Sequence, residues 1–289
     1  MTEYEWNEMP CVSSVFADKV EEINKHFDLL DKLLDRYAHI EYGTENNKKF
    51  YKLDPEATHP LKSGAVLMIY NFMESVGTEL MNDIYEHIKI NIADKILENL
   101  HQSLYETITK HIYNNSLFKE YLLNYKYTQN NLDSLIIKGW LNKLLEEKTE
   151  KNKQGEEYRK WFNGNVDVRQ IRECLIAYGL CEDDLKNLTQ NKPWPKSLLS
   201  TKHARNRLAH GGTTFTDLGR SKSLDEIKID FKNVQDFFVD LLNLINSFLH
   251  DKRYLKKGTY KTETNYLSQF DWNCIANHFC HSSYTFFLF

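Results

Sequence analysis

Arg205 and His210 lie five residues apart in the segment ARNRLAHGG, with Asn206 directly after the arginine, and the arginine and histidine side chains suit chemistry at a phosphate group. Arginine is always charged and binds phosphate oxygens through its planar guanidinium group, and histidine exchanges protons near neutral pH. Cleaving RNA without a metal needs a base for the 2'-hydroxyl, a positively charged group that neutralises the phosphate and a proton donor for the 5'-oxygen. Arg205 and His210 therefore form a candidate catalytic pair.

The spacing of Arg205 and His210 sets a requirement on the local backbone. Five helical steps of about 100° leave the two side chains about 140° apart around a helix, so they do not share a face. Gly211 and Gly212 favour a helix end near Ala209, which lets His210 turn back toward Arg205. The alternative is purely structural, because basic residues in the last turn of any helix complement its dipole.

Further charged side chains accompany this motif. Lys202, His203 and Arg207 lie on the same predicted helix and are candidate RNA-binding residues. Glu74, on a largely apolar helix earlier in the chain, is a candidate for orienting Arg205 or His210, although a glutamate on a long helix is more often simply solvated. A second basic group, after the last helix, could extend the patch: Lys252, Arg253, Lys256, Lys257 and Lys261.

Apolar periodicity predicts the helices that position these residues. One apolar stripe with steps of three and four begins at Phe16, in a first helix that Ser13 or Ser14 could cap. A second such stripe begins at Ile69, in a helix that is predicted to start near Ser63. Ser223 and Glu226 have capping-box spacing and predict a last helix from about Leu224 to His250. Its predicted buried face comprises Ile227, Phe231, Val234, Phe238, Leu241, Ile245 and Phe248.

Several segments without a period are predicted to be connections. These are residues 39–63, the charged run EEKTEKNKQGEEYRK, the segment LKNLTQNKPWP and the polar stretch between Gly212 and Ser223. Pro195 suits the first turn of the motif helix. Glycine and proline are scarce, at 11 and 5 residues, which argues against a fold of many short strands. The sequence therefore predicts an all-α protein.

Composition limits the class of protein. The formal charge of -4 gives the whole chain no attraction for nucleic acid, so an RNA site must be a local patch. No apolar run is long enough for a membrane span, and the odd, scattered cysteines fit reduced thiols, which together predict a cytoplasmic protein without a membrane partner. The usual phosphate-loop, dinucleotide, hydrolase and zinc-protease motifs are missing, and no cofactor is expected.

The motif and its context resemble a known superfamily. ARNRLAHG is similar to the R-x4-6-H signature of HEPN proteins. IYNFMES, FNGNVDVRQIRECLIAYGL and the sequence after the motif resemble HEPN-like nucleases of prokaryotic toxin and defence loci, over residues 10–255. This resemblance implies a helical bundle that dimerises with its motif helices face to face and leaves a 2',3'-cyclic phosphate on cleaved RNA.

Carried onto this chain, the resemblance makes His210 the base or acid, Arg205 the phosphate clamp and Asn206 an orienting residue. It implies a homodimer or a HEPN heterodimer, with a cognate antitoxin or companion defence protein as a further partner. Some HEPN proteins only bind nucleotides or other proteins, so a noncatalytic module is the alternative. The expected organisation is a helical domain over residues 1–260, with middle helices at about 95–160 as an insertion or extension.

Residues 261–289 form an apolar tail, for which we expect burial against the body or a partner. The tail also contains four potential zinc ligands, which are Cys274, His278, Cys280 and His281. Their spacing differs from the usual pairs of zinc ligands, so buried thiols and aromatic rings are the favoured interpretation and no metal site is predicted.

Overall fold

The described chain is mostly helical, in agreement with the all-α prediction. A computed structural model describes residues 5–35, 39–44, 47–52, 54–114, 129–162, 166 and 168–256. The helices are α1 (Pro10–Leu34), α2 (His59–Ile92), α3 (Gln102–Asn114), α4 (Gln129–Lys148), α5 (Val168–Ala177), α6 (Glu182–Thr189), α7 (Trp194–Ala209), α8 (Phe215–Ser221) and α9 (Leu224–His250).

Two antiparallel hairpins interrupt the helices, and both fall in segments predicted to be connections. Strands β1 (His39–Tyr42) and β2 (Lys49–Lys52) pair with Ile40 opposite Tyr51, and β3 (Thr149–Lys151) and β4 (Glu157–Arg159) pair with Glu150 opposite Tyr158. Every residue of β1 is exposed, so the alternation of buried and exposed residues that predicts a strand is missing.

Helix α2 lies at the centre of the fold and supplies its longest buried face. Its predicted stripe is confirmed: Ile69, Phe72, Val76, Leu80, Ile84 and Ile88 are all buried. The Phe72 ring meets the rings of Phe16, Phe231 and Phe238 edge to face, which joins α2 to α1 and α9. Such aromatic pairs add about 0.5–1.5 kcal/mol each beyond the area that they bury.

Two predicted helix starts are wrong by a few residues. Helix α2 begins at His59 rather than near Ser63, because Pro60 is tolerated in a first turn that has no apolar stripe. Helix α1 begins at Pro10, and Ser13 does not cap it, since the Ser13 hydroxyl donates to the Met9 carbonyl from within the first turn.

Helix α9 has the predicted bounds, capping box and buried face. The Ser223 hydroxyl accepts a hydrogen bond from the Glu226 N–H, and the Glu226 carboxylate accepts one from the Ser223 N–H. Helix α7 runs antiparallel to α9, because Trp194 packs on Phe237 while Ser197 accepts a hydrogen bond from Asn233. The motif end of α7 therefore points toward the beginning of α9.

Two short helices, α6 and α8, were not predicted. Helix α6 covers part of the predicted loop LKNLTQNKPWP, and α8 covers most of the polar stretch after Gly212. Helix α8 crosses the start of α2 at Gly219, where a Cβ atom would lie 1.8 Å from the His59 carbonyl oxygen. Neither helix is long enough to show a clear apolar period, which explains why both were missed.

The middle helices share the core of the main body. The Tyr85 hydroxyl of α2 donates to the Leu141 carbonyl of α4, and the Ser134 hydroxyl donates to the Ala93 carbonyl. Buried residues of α3 and α4 belong to the same apolar cluster as those of α1, α2 and α9. None of the helices in the described part of the chain is long and apolar enough to cross a membrane.

Candidate active site

The motif helix α7 ends as the glycines predicted. Pro195 lies in its first turn and Ala209 is its last residue. The Gly212 N–H donates to the Arg207 carbonyl at 2.7 Å and the Gly211 N–H donates to the Leu208 carbonyl, while Gly211 adopts a φ of 71°. This paired pattern is the Schellman motif, and it fixes the backbone on both sides of His210.

Replacing Gly211 with alanine is expected to lower the free energy of unfolding by about 1–2 kcal/mol. The left-handed backbone is the whole cause, because nothing lies within 4 Å of a Cβ atom at this position. Urea unfolding measures the effect. Gly212→Ala is the matched control, since its φ is ordinary and its Cβ atom would meet other atoms only at 3.5 Å or more. Equal losses in the two variants would contradict the backbone explanation.

Arg205 is held in place by an aromatic ring and an amide. Its guanidinium carbon lies 4.9 Å from the centre of the Tyr70 ring, and its Nη1 donates to the Asn206 side-chain oxygen at 3.2 Å. The side chain is half-buried. Within the described ranges Arg205 makes no ion pair with a carboxylate, so its charge remains available to an anionic ligand.

Tyr70 connects α2 to the motif helix. Its side chain is 1% exposed and its hydroxyl oxygen accepts a hydrogen bond from the Val166 N–H at 3.2 Å. Burial raises the pKa of the Tyr70 hydroxyl, and the Glu74 carboxylate adds to this rise. The hydrogen bond from Val166 and the positive charges of Arg205 and Lys202 oppose it. Tyr70 therefore stays neutral, and the charges of Glu74, Arg205 and Lys202 all contribute to its electrostatic environment.

The candidate catalytic residues follow one another around α7. With about 100° per residue, Arg205 and Asn206 are neighbours around the helix axis. His210 lies one turn beyond Asn206, on nearly the same side of the helix. The His210 N–H donates to the Asn206 carbonyl at 3.0 Å, which confirms this one-turn relation. His210 is exposed, and Asn206, which orients Arg205, lies between it and the arginine around the helix.

The predicted RNA-binding residues divide into two groups. Lys202 is half-buried, and its charge, like that of Arg205, opposes the rise in the pKa of Tyr70. His203 and Arg207 are exposed and share the His210 side of the helix, because the three residues are spaced by four and three. The structure thus places Lys202 beside the arginine and the other two beside the histidine.

The second basic group does not join the motif. Arg253 forms an ion pair with Asp184 of α6. The end of α9 lies about 25 Å beyond Asn233, in the direction away from the motif end of α7. The proposed extension of the RNA patch by Lys252, Arg253 and Lys256 is therefore wrong, whereas Lys257 and Lys261 lie outside the described residues.

A cleft of about 600 Å³ next to Glu74 was not predicted. One of its walls is α2 and the other is β4 with the residues after it. Its lining residues are Glu74, Thr78, Glu79, Asn82, Tyr158, Arg159, Lys160, Trp161 and Phe162. The i, i+4 row of polar side chains at 74, 78 and 82, which lies beside the apolar stripe of the helix, is the signal that could have found it.

The described residues include no group of three histidine, cysteine, aspartate or glutamate side chains arranged to hold a metal ion. The four potential zinc ligands of the tail, from Cys274 to His281, lie outside the described residues. The apolar tail itself also lies there.

Comparisons with protein-family models, with curated proteins and with solved structures gave no match for this chain.

Proposed function

We propose that this protein is an endoribonuclease of the HEPN type, which cleaves RNA without a metal at Arg205 and His210. The observation that carries the proposal is the setting of Arg205. A half-buried guanidinium, oriented by the Tyr70 ring and the Asn206 amide and unpaired by any described carboxylate, is suited to bind a phosphate. The exposed His210 follows it at the helix end.

In the proposed reaction Arg205 binds the non-bridging oxygens of the scissile phosphate and stabilises the charge that develops there. The 2'-oxygen attacks the phosphorus while a histidine removes its proton. The bond to the 5'-oxygen then breaks, and an acid gives that oxygen a proton. The products are a 2',3'-cyclic phosphate and a 5'-hydroxyl.

Each chain supplies one His210, whereas the reaction needs both a base and an acid. The resemblance to HEPN proteins implies a dimer with the motif helices facing each other, and two copies of His210 would divide these tasks. Neighbouring phosphates would be bound by Lys202 on the Tyr70 side of α7 and by His203 and Arg207 on the His210 side. The biological role that accompanies the resemblance is that of a toxin or anti-phage effector in the cytoplasm, restrained by an antitoxin or companion protein.

The test is to incubate the purified protein with RNA in EDTA and to assay the products for 2',3'-cyclic phosphate and 5'-hydroxyl ends. We expect such ends with the wild type, and their loss in Arg205→Ala. Cleavage that requires a divalent ion, or that Arg205→Ala leaves unchanged, would contradict the proposal. RNA binding without cleavage by the wild type would favour the noncatalytic module.

A further inference from the structure

The α2 wall of the cleft presents hydrogen-bond acceptors. Glu74, Thr78 and Asn82 recur at intervals of four on one side of the helix, with Glu79 beside them. The Asn82 side-chain nitrogen donates to Glu79 Oε2 at 3.1 Å, which orients this carboxylate. Neither Glu74 nor Glu79 has an ion-pair partner in the part of the chain that the structure describes.

The opposite wall is aromatic and fixed in position. The indole N–H of Trp161 donates to the Asn82 side-chain oxygen at 2.7 Å, so the two walls are joined by a direct hydrogen bond. The Tyr158 hydroxyl donates to Glu150 at 2.8 Å, while the side chain remains 45% exposed. Tyr158 therefore offers a held aromatic ring to a ligand.

The cations of this wall are already neutralised. Arg159 forms an ion pair with Glu86 at 2.6 Å and Lys160 forms one with Glu150 at 3.0 Å. The remaining charge in the cleft is that of Glu74 and Glu79. A ligand that suits the cleft thus has hydrogen-bond donors and a flat ring, and it carries no negative charge inside the cleft.

We infer that the cleft binds the base of a nucleotide next to the scissile phosphate, and that Glu79 makes it prefer guanine. Guanine carries two adjacent donors, at N1 and N2, that match the two oxygens of a carboxylate. On the same edge, adenine, cytosine and uracil each place an acceptor next to their donor. A cleft of about 600 Å³ accommodates a base stacked on Tyr158.

The position of Glu74 relates this cleft to the phosphate site. Glu74 lines the cleft and lies one turn of α2, about 6 Å, from Tyr70, whose ring contacts Arg205. A phosphate is attracted to Arg205 and repelled by Glu74 and Glu79, so the base enters the cleft while the backbone stays outside. This inference rests on the proposed function for the identity of the ligand as RNA.

The test uses oligouridines with 2'-O-methyl groups throughout, which cannot be cleaved by 2'-hydroxyl attack, and with one central guanine, adenine or inosine. Fluorescence anisotropy measures their affinity for the wild type. We expect the guanine oligomer to bind about tenfold more tightly than the adenine one, with inosine, which lacks the N2 amino group, between them. Glu79→Gln should abolish this preference, and Glu21→Gln, which removes the same charge from the exposed surface of α1, should retain it.

A second variant separates stacking from base selection. Tyr158→Ala should weaken the guanine and adenine oligomers alike, by about fivefold or more, because a ring stacks on any base. Equal affinity of the wild type for guanine and adenine, or a guanine preference that survives Glu79→Gln, would overturn the inference.

The outcome is distinguishable from failure of the nuclease proposal. Cleavage of the matching unmodified oligomers without any base preference would reject the cleft and leave the nuclease. A guanine preference in binding, lost in Glu79→Gln, with no cleavage of the unmodified oligomers would retain the cleft and reject the nuclease.

Discussion

Replacement of His210 with alanine is expected to lower the rate of RNA cleavage by about 10²–10⁴-fold, the usual contribution of a positioned acid or base. The fold should be unchanged, because His210 is exposed and its backbone hydrogen bond to Asn206 does not involve the side chain. Single-turnover cleavage of a fluorescent RNA by excess protein measures the chemical step directly. Unfolding of the variant in urea should match that of the wild type.

The matched control for this variant is His250→Ala. His250 is also an exposed histidine at the end of a helix, but it lies at the far end of α9 and contacts Glu8. We expect its cleavage rate to remain within about twofold of the wild type, as for a residue that touches no reacting group. Equal losses in both variants would indicate that His210 has no role in proton transfer.

Replacement of Gly219 with alanine is expected to destabilise the protein by about 3 kcal/mol or more. The added Cβ atom would lie 1.8 Å from the carbonyl oxygen and 2.5 Å from the carbonyl carbon of His59. Both are backbone atoms of the first turn of α2, so neither can move aside as a side chain would. Helix α8 would have to lift from α2, and guanidinium unfolding measures the loss.

Gly64→Ala is the control for Gly219→Ala, since Gly64 lies in the same helix as His59 and nothing approaches its Cβ position within 4 Å. Alanine there should stabilise the protein by about 0.5–1 kcal/mol, because glycine is the poorer helix former. If both substitutions changed stability by similar amounts and in the same direction, the close approach of α8 to α2 would be wrong.

The long helices could be predicted from the sequence because their apolar stripes extend over many turns. The stripes of α2 and α9 are buried at every predicted position, and the capping box at Ser223 marks the start of α9. The hairpins could not be predicted, since β1 is exposed throughout and the aromatic residues of β2, Phe50 and Tyr51, are exposed as well. Burial on one face is what produces the alternating pattern of a strand.

The site could be predicted only in part. The glycines after His210 correctly indicated where α7 ends, because their effect on the backbone is local. The contact of Arg205 with Tyr70 brings together helices that are distant in the sequence, so no local pattern indicates it. The cleft was missed for the same reason, since Trp161 bonds to Asn82 across 79 positions of the chain.

The restraint of the Arg205 side chain bears on the entropy of the proposed binding of a phosphate. A free arginine carries about 2 kcal/mol of rotamer entropy, much of which is lost when it grips a phosphate. In this protein the Tyr70 ring and the Asn206 amide already restrict the guanidinium in the folded state. Much of this entropy is therefore lost on folding, and the proposed binding of a phosphate would be tighter because less side-chain freedom remains to be lost.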